Sequence, residues 1–187
     1  SGYTIGDSDE PIPLLTEVLA AIPDSVGVNL ELKHPGRGGL QFGEVDDDDA
    51  RSAAGDRWRP FVTRALAVAT DTDHDLLVSS FYEGALAATR AVDPAVPVAP
   101  LVADDVESGI DLADRYDAAA IHPPLDALLD ESGTTTAAGD QLLDRAHTAD
   151  RRINAWTVTT QQEAHALAQA GVDGLIAESP HVVSGDP

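Results

Sequence analysis

Cysteine is absent from this 187-residue chain, which excludes disulfides, thiolate metal sites and cysteine nucleophiles. Lysine is nearly absent, since every basic residue but Lys33 is arginine. Aromatics make up only 4% of the residues. No run approaches the ~20 apolar residues of a membrane-spanning helix. The opening residues do not show the basic-then-apolar pattern of a secretory signal. No G-x-G-x-x-G turn follows an opening strand, which weighs against dinucleotide binding.

What is abundant is acid. Against 11 basic residues stand 33 acidic ones, for a formal charge of −22. Such a polyanion is repelled by nucleic acid and by anionic membranes, so neither is an expected partner. With 43% hydrophobic residues the chain can still bury a core, and its length suits a single domain over residues 1–187, or part of a larger one. Aspartate and alanine in quantity, with lysine avoided, is a composition suited to very high salt. There a charge of this size is screened within ~3 Å. The expectation is a halophilic, cytoplasmic protein.

Strand-type and helix-type segments alternate. The β-type runs are 26–33, 76–81, 96–102, 118–122, 153–158 and 174–178. Between them, apolar spacing near 3.6 residues predicts helices over 14–22, 58–69, 83–92, 108–116, 140–150 and 161–170. Pro23 stops the first helix, Thr160 is placed to cap the last, and Gly171 suits its C-terminal end. Such alternation implies parallel βαβ units, in an open doubly wound sheet or in a barrel. Six strands in 187 residues scale to the ~250 residues of an eight-stranded barrel. The expected fold class is therefore α/β: an incomplete (β/α)8 TIM barrel with about six of the eight βα units present. Residues 43–56 are acidic and aperiodic and are expected to form a loop. Their four consecutive aspartates lack the alternate ligands and central glycine of an EF-hand.

Asn29-Leu30-Glu31-Leu32-Lys33 is the most informative strand. Period two puts Asn29, Glu31 and Lys33 on one face and the leucines on the other. In a barrel the apolar face meets the helices, so the polar triplet points inward. Charges there are costly unless paired or employed. They form either a structural ion pair or a site, and retention of the single lysine beside this glutamate favours a site. Phe81, Trp156 and His122 all stand at C-terminal strand ends, the face where barrels place their sites. Each can be read as a substrate contact or as ordinary packing. His34 and Arg37 follow in a loop, while His74, His147 and His165 are expected at the surface.

These residues resemble the glycerophosphodiester phosphodiesterase family. The Ile12–Leu19 helix, Asn29-Leu30-Glu31-Leu32-Lys33, Val78-Ser79-Ser80-Phe81, Ala155-Trp156-Thr157-Val158 and Gly171-Val172-Asp173-Gly174-Leu175-Ile176 are similar to its motifs and keep their order. The resemblance implies metal-dependent hydrolysis of a glycerophosphodiester to glycerol phosphate and an alcohol. It implies that Glu31 ligates a divalent cation, magnesium or calcium, and that Lys33 lies beside the phosphate. Phe81 and Trp156 would form an apolar wall against the glycerol carbons, with His122 a further substrate contact.

The family's opening H-R-G motif, the E-N-T and E-x-D segments that follow and its later H-D motif find no counterpart in their places here. With them go the acid–base histidines and two metal ligands. The expectation is that the chain lacks the family's N-terminal quarter. No catalytic residue is then assigned, the cation is held weakly, and the 187 residues are inactive alone. The alternative is a non-catalytic barrel fragment acting as a binding or assembly module. In either case the open sheet edges favour self-association.

Overall fold

The computed structural model describes residues 11–33, 40–103 and 105–184. In chain order these form α1 (Leu15–Ala21), β1 (Val28–Glu31), α2 (Asp48–Ala69), β2 (Leu76–Ser80), α3 (Glu83–Val92), β3 (Val98–Pro100) and α4 (Val106–Arg115). There follow β4 (Ala120–Ile121), a 3-10 turn (Leu125–Ala127), α5 (Ala137–Thr148), β5 (Arg152–Val158), α6 (Gln161–Ala170), β6 (Gly174–Ala177) and α7 (His181–Ser184). No helix among the described residues is long and apolar enough to cross a membrane.

Every strand pair is parallel, as crossover helices require. The strands β1-β2-β3 form one sheet and β4-β5-β6 a second. A bridge between Leu101 and His122 joins the two. Ala119 N–H also donates to the Val98 carbonyl at 3.0 Å, and His122 N–H to that of Pro100 at 2.9 Å. The six strands thus follow one another in chain order without the reversal of a doubly wound sheet. Among the described residues the arc does not close, which is the incomplete barrel that the alternation predicts.

Burial fixes which face is which. Val78, Val98, Ile121 and Ile153 are fully buried under the helices. They share one core with Trp58, Val62 and Leu66 of α2, Leu86 of α3, Ile110 of α4, Leu142 of α5 and Leu167 of α6. Each such side chain contributes roughly 1.5–3 kcal/mol relative to exposure. A one-residue slip would exchange these residues for polar ones, so register is strongly held. Pairing sets Glu31 opposite Ser79, and Ser79 opposite Ala99. Alternation then brings Glu31, Ser79, His122 and Asn154 to the concave face.

The expected loop over residues 43–56 is corrected: its second half is helix. Asp47 accepts the Ala50 N–H at 2.9 Å as N-cap, and Asp48 and Asp49 occupy the first turn of α2. Carboxylates there favour the positive end of the helix dipole. The acidic run is thus a helix start, and the alanines after it carry the helix without an apolar stripe to announce it. The third strand is shorter than expected, with Pro97 before it and Pro100 ending it, neither of which donates to a ladder.

The Gly171–Gly174 motif has a local cause at each end. Thr160 and Glu163 cap α6 reciprocally, and Gly171 ends it at φ 92°, a conformation that favours glycine. Asp173 Oδ2 accepts the Ile153 N–H at 2.8 Å and so pins β6 to β5. A Cβ at Gly174 would sit 2.4 Å from Asn154 Oδ1, so only glycine leaves room for that amide.

Candidate active site

The C-terminal mouth of the arc gathers the residues that the sequence singles out. Glu31 ends β1, its side chain 30% exposed, with Lys33 Nζ 3.5 Å from its Oε2. Leu32 between them is buried in the core. The pair therefore lies on the concave side, opposite the helices. The Lys33 side chain is 77% exposed, and an exposed pair adds little to stability. The Lys33 charge is available to an anion.

Phe81 and Trp156 come together across the mouth. Their rings lie 5.5 Å apart at 90°. The Trp156 indole N–H donates to the His122 carbonyl at 2.8 Å, which fixes its plane. Phe42, from the segment after β1, stacks on the other side of Phe81 at 5.1 Å. It is held there because Gly43 N–H donates to the Phe81 carbonyl at 2.9 Å.

His122 is buried, with Asn154 Nδ2 2.9 Å from its Nε2. Burial, and then the positive charge of Arg152, pull its pKa down to about 4. The ring is neutral at pH 7 and cannot serve there as a cationic acid. Its Nδ1 and the Ser79 hydroxyl are buried and find no hydrogen-bond partner among the described residues. His74 stands at the opposite end of β2, its ring nitrogens 3.0 and 3.3 Å from the Val26 and Leu19 carbonyls. His34 and Arg37 lie outside the described residues.

A buried carboxylate braces the rim. Glu83, the first residue of α3, is fully buried. Its Oε1 accepts from Arg51 Nε, Arg115 Nη1 and the Tyr116 hydroxyl, each at 2.8 Å, and Oε2 accepts from the Val45 N–H. Arg115 also reaches Glu44 at 2.6 Å. Burial, and then the bond to Glu83, hold the Tyr116 hydroxyl protonated far above its usual range. The sequence gives no sign of this network, because its members are 32 positions or more from Glu83. Phe42 and Asn154 were also missed. Asn154 could have been found, since it shares the inward face of its strand with Trp156.

Glu31 by itself is too few ligands for a divalent cation, which takes six or more oxygens. Among the described residues no three histidine, aspartate or glutamate side chains are grouped to hold a metal ion. Among the described residues the mouth offers the Lys33 charge and an aromatic pair, Phe81 and Trp156.

A family model described as the glycerophosphoryl diester phosphodiesterase family matches residues 3–182. No curated protein matches the sequence. Among solved structures, a phosphodiesterase from Oleispira antarctica in complex with the product sn-glycerol-3-phosphate is similar at TM-score 0.66 and 20% identity. That similarity covers 92% of this chain and 60% of the other. Glycerophosphodiester phosphodiesterases from Agrobacterium tumefaciens and Parabacteroides distasonis are similar at TM-scores of 0.58 and 0.54, with 15% identity each. They cover 95% and 83% of this chain and 63% and 54% of their own lengths. The chain thus spans less than two thirds of these structures, and the likeness shows a shared fold.

Proposed function

We propose, from the premise that this chain belongs to the glycerophosphoryl diester phosphodiesterase family, that its concave face binds the glycerol phosphate part of a glycerophosphodiester. The protein's reaction is then hydrolysis to glycerol phosphate and an alcohol. The observation that carries this reading is the inward Glu31–Lys33 pair beside the Phe81–Trp156 wall. Lys33 offers a point charge to a phosphate oxygen. Phe81 and Trp156 present apolar surface to the glycerol carbons. His122, neutral and braced by Asn154, is a hydrogen-bonding contact behind them.

Glu31 is one ligand of a divalent cation, magnesium or calcium, in this reading. The described residues do not complete that site, and binding to these 187 residues alone is weak. Nor do they bring a pair of titrating histidines to the mouth, so no proton transfer is assigned to them. In this reading the described residues are a binding half, and the acid–base groups of hydrolysis are not among them. The same observation favours a second reading, a non-catalytic binding or assembly module. The acidic, nearly lysine-free composition supports a halophilic, cytoplasmic setting, with glycerophosphodiesters rather than nucleic acid as partners.

Calorimetric titration of the purified chain with sn-glycerol 3-phosphate tests the site. Saturable binding that weakens about tenfold in Lys33→Ala, or roughly 1.4 kcal/mol, is the expected result. Binding unchanged in Lys33→Ala would overturn the site. Adding magnesium or calcium should release no alcohol from a glycerophosphodiester above background, and turnover would overturn the assignment of a binding half.

A further inference from the structure

Phe42 is out of place for a protein with so few aromatics. It is 55% exposed although it stacks on Phe81, and Tyr82 meets its edge at 5.6 Å. Exposing an aromatic ring costs free energy that a polar residue would avoid. The ring is nonetheless anchored: Gly43 bridges to Tyr82, and Arg51 fastens the Val45 carbonyl at 2.9 Å. The chain holds an apolar face toward solvent at the rim of its site.

Trp156, Phe81 and Phe42 form a continuous aromatic ridge, each ring in contact with the next. On the far side of Phe42 the ridge borders a cleft of about 160 Å³. Leu101, Val102 and Leu112 form its opposite wall. At ~30 Å³ per water-sized group it holds about five such groups. Gly109 keeps it shallowly roofed, since a Cβ there would meet Val102 Cγ2 at 2.2 Å. The polar lining is Asp105 and Ser108, and the Asp105 carboxylate is occupied in capping α4.

Resting on the reading of the mouth as a glycerophosphodiester site, we propose that this ridge and cleft form a subsite for an apolar alcohol. The preferred diester carries a short alkyl chain on the side of the phosphate away from the glycerol. With the glycerol carbons against Phe81 and Trp156, the esterified alcohol continues along Phe42 into the cleft. The net charge of −22 disfavours an anionic head group there. The described lining offers a sugar-like one a single side-chain hydroxyl, Ser108, beside a carboxylate already engaged in capping. Apolar surface covered by ligand is the gain that remains.

The test is calorimetry on the full 187-residue chain with sn-glycerol 3-phosphate and with its ethyl, butyl and hexyl diesters, all below micelle-forming concentration. Affinity should rise about threefold or more per methylene until the cleft is filled. In Phe42→Ala the hexyl diester should lose its advantage over the ethyl one. Ser108→Leu fills the cleft and should have the same effect, while glycerol phosphate binds as before. It guards against a Phe42 variant that loses its rim. Equal affinity for all three diesters, or tighter binding of a choline diester than of the butyl one, would overturn the subsite and leave the glycerol phosphate site standing. Failure of sn-glycerol 3-phosphate itself to bind would remove the site and the subsite together.

Discussion

The indole N–H of Trp156 donates to the main-chain carbonyl of His122 at 2.8 Å, and the same carbonyl accepts the Val102 N–H at 3.0 Å. One backbone atom at the end of β4 therefore aims the aromatic wall and ties the following segment of β3 to it. Trp156→Phe keeps an aromatic ring but removes the donor. The carbonyl keeps Val102, so the loss of stability should be about 1 kcal/mol rather than the ~3 of a fully orphaned group. Urea unfolding with an unchanged slope against denaturant would check it. A loss beyond about 3 kcal/mol would mean that the indole packs more than it orients.

His122 makes stability depend on pH in a definite window. Its folded pKa of about 4 lies below the unfolded value of 6.5. Between the two the unfolded chain binds more protons, so stability rises with pH. The full contribution is present above about pH 6.5 and is lost as the pH falls toward 4, for roughly 3 kcal/mol. Other carboxylates titrate there too, so the comparison is with His122→Gln. The difference between the two proteins should shrink from neutral pH to about pH 4.5. A constant difference would mean that the ring is not buried neutral.

Glu83 should be the most sensitive charged position. Glu83→Ala leaves Arg51 and Arg115 facing a partly buried gap, and removal of one partner from such a cluster costs about 3–5 kcal/mol. Glu83→Gln keeps the volume and some acceptors and should cost less. Thermal melts would rank them. Equal and small losses would show that the arginines find other partners, Glu44 first.

Salt should act through two routes. At 0.01 M ionic strength repulsion among the excess carboxylates reaches ~30 Å and destabilises the compact state, and molar potassium chloride screens it. The same salt strengthens apolar contact at the edges of β1 and β6, which have no further partner strand among the described residues. Melting temperature and particle size by light scattering should both rise with salt. A monomer of equal stability throughout would contradict both routes.

The parallel arc and the standing of Phe81 and Trp156 at strand ends were legible because period-two alternation and strand ends are local properties. Glu31 and Lys33 stood out for the same reason, two polar residues in a leucine strand. The start of α2 was not legible. Its aspartates look like a loop until one of them is seen to cap the next turn. Neither was Glu83, whose meaning depends on arginines supplied by α2 and α4, nor Phe42, which gains its role only when it meets Phe81, 39 positions away.

The strand order has a consequence for how the molecule comes apart and is built. Among the described residues no strand is inserted between earlier ones, so each strand pairs with those next to it in the chain. The middle strands β3 and β4 are buried at every position, whereas β6 is half-buried throughout and β1 nearly so. Opening should then proceed by fraying, outer units first, and amide protons should exchange slowest in β3 and β4 and faster toward both edges. Assembly can run the same way in reverse. During synthesis each new unit can settle on its predecessor as it emerges, without waiting for a distant partner.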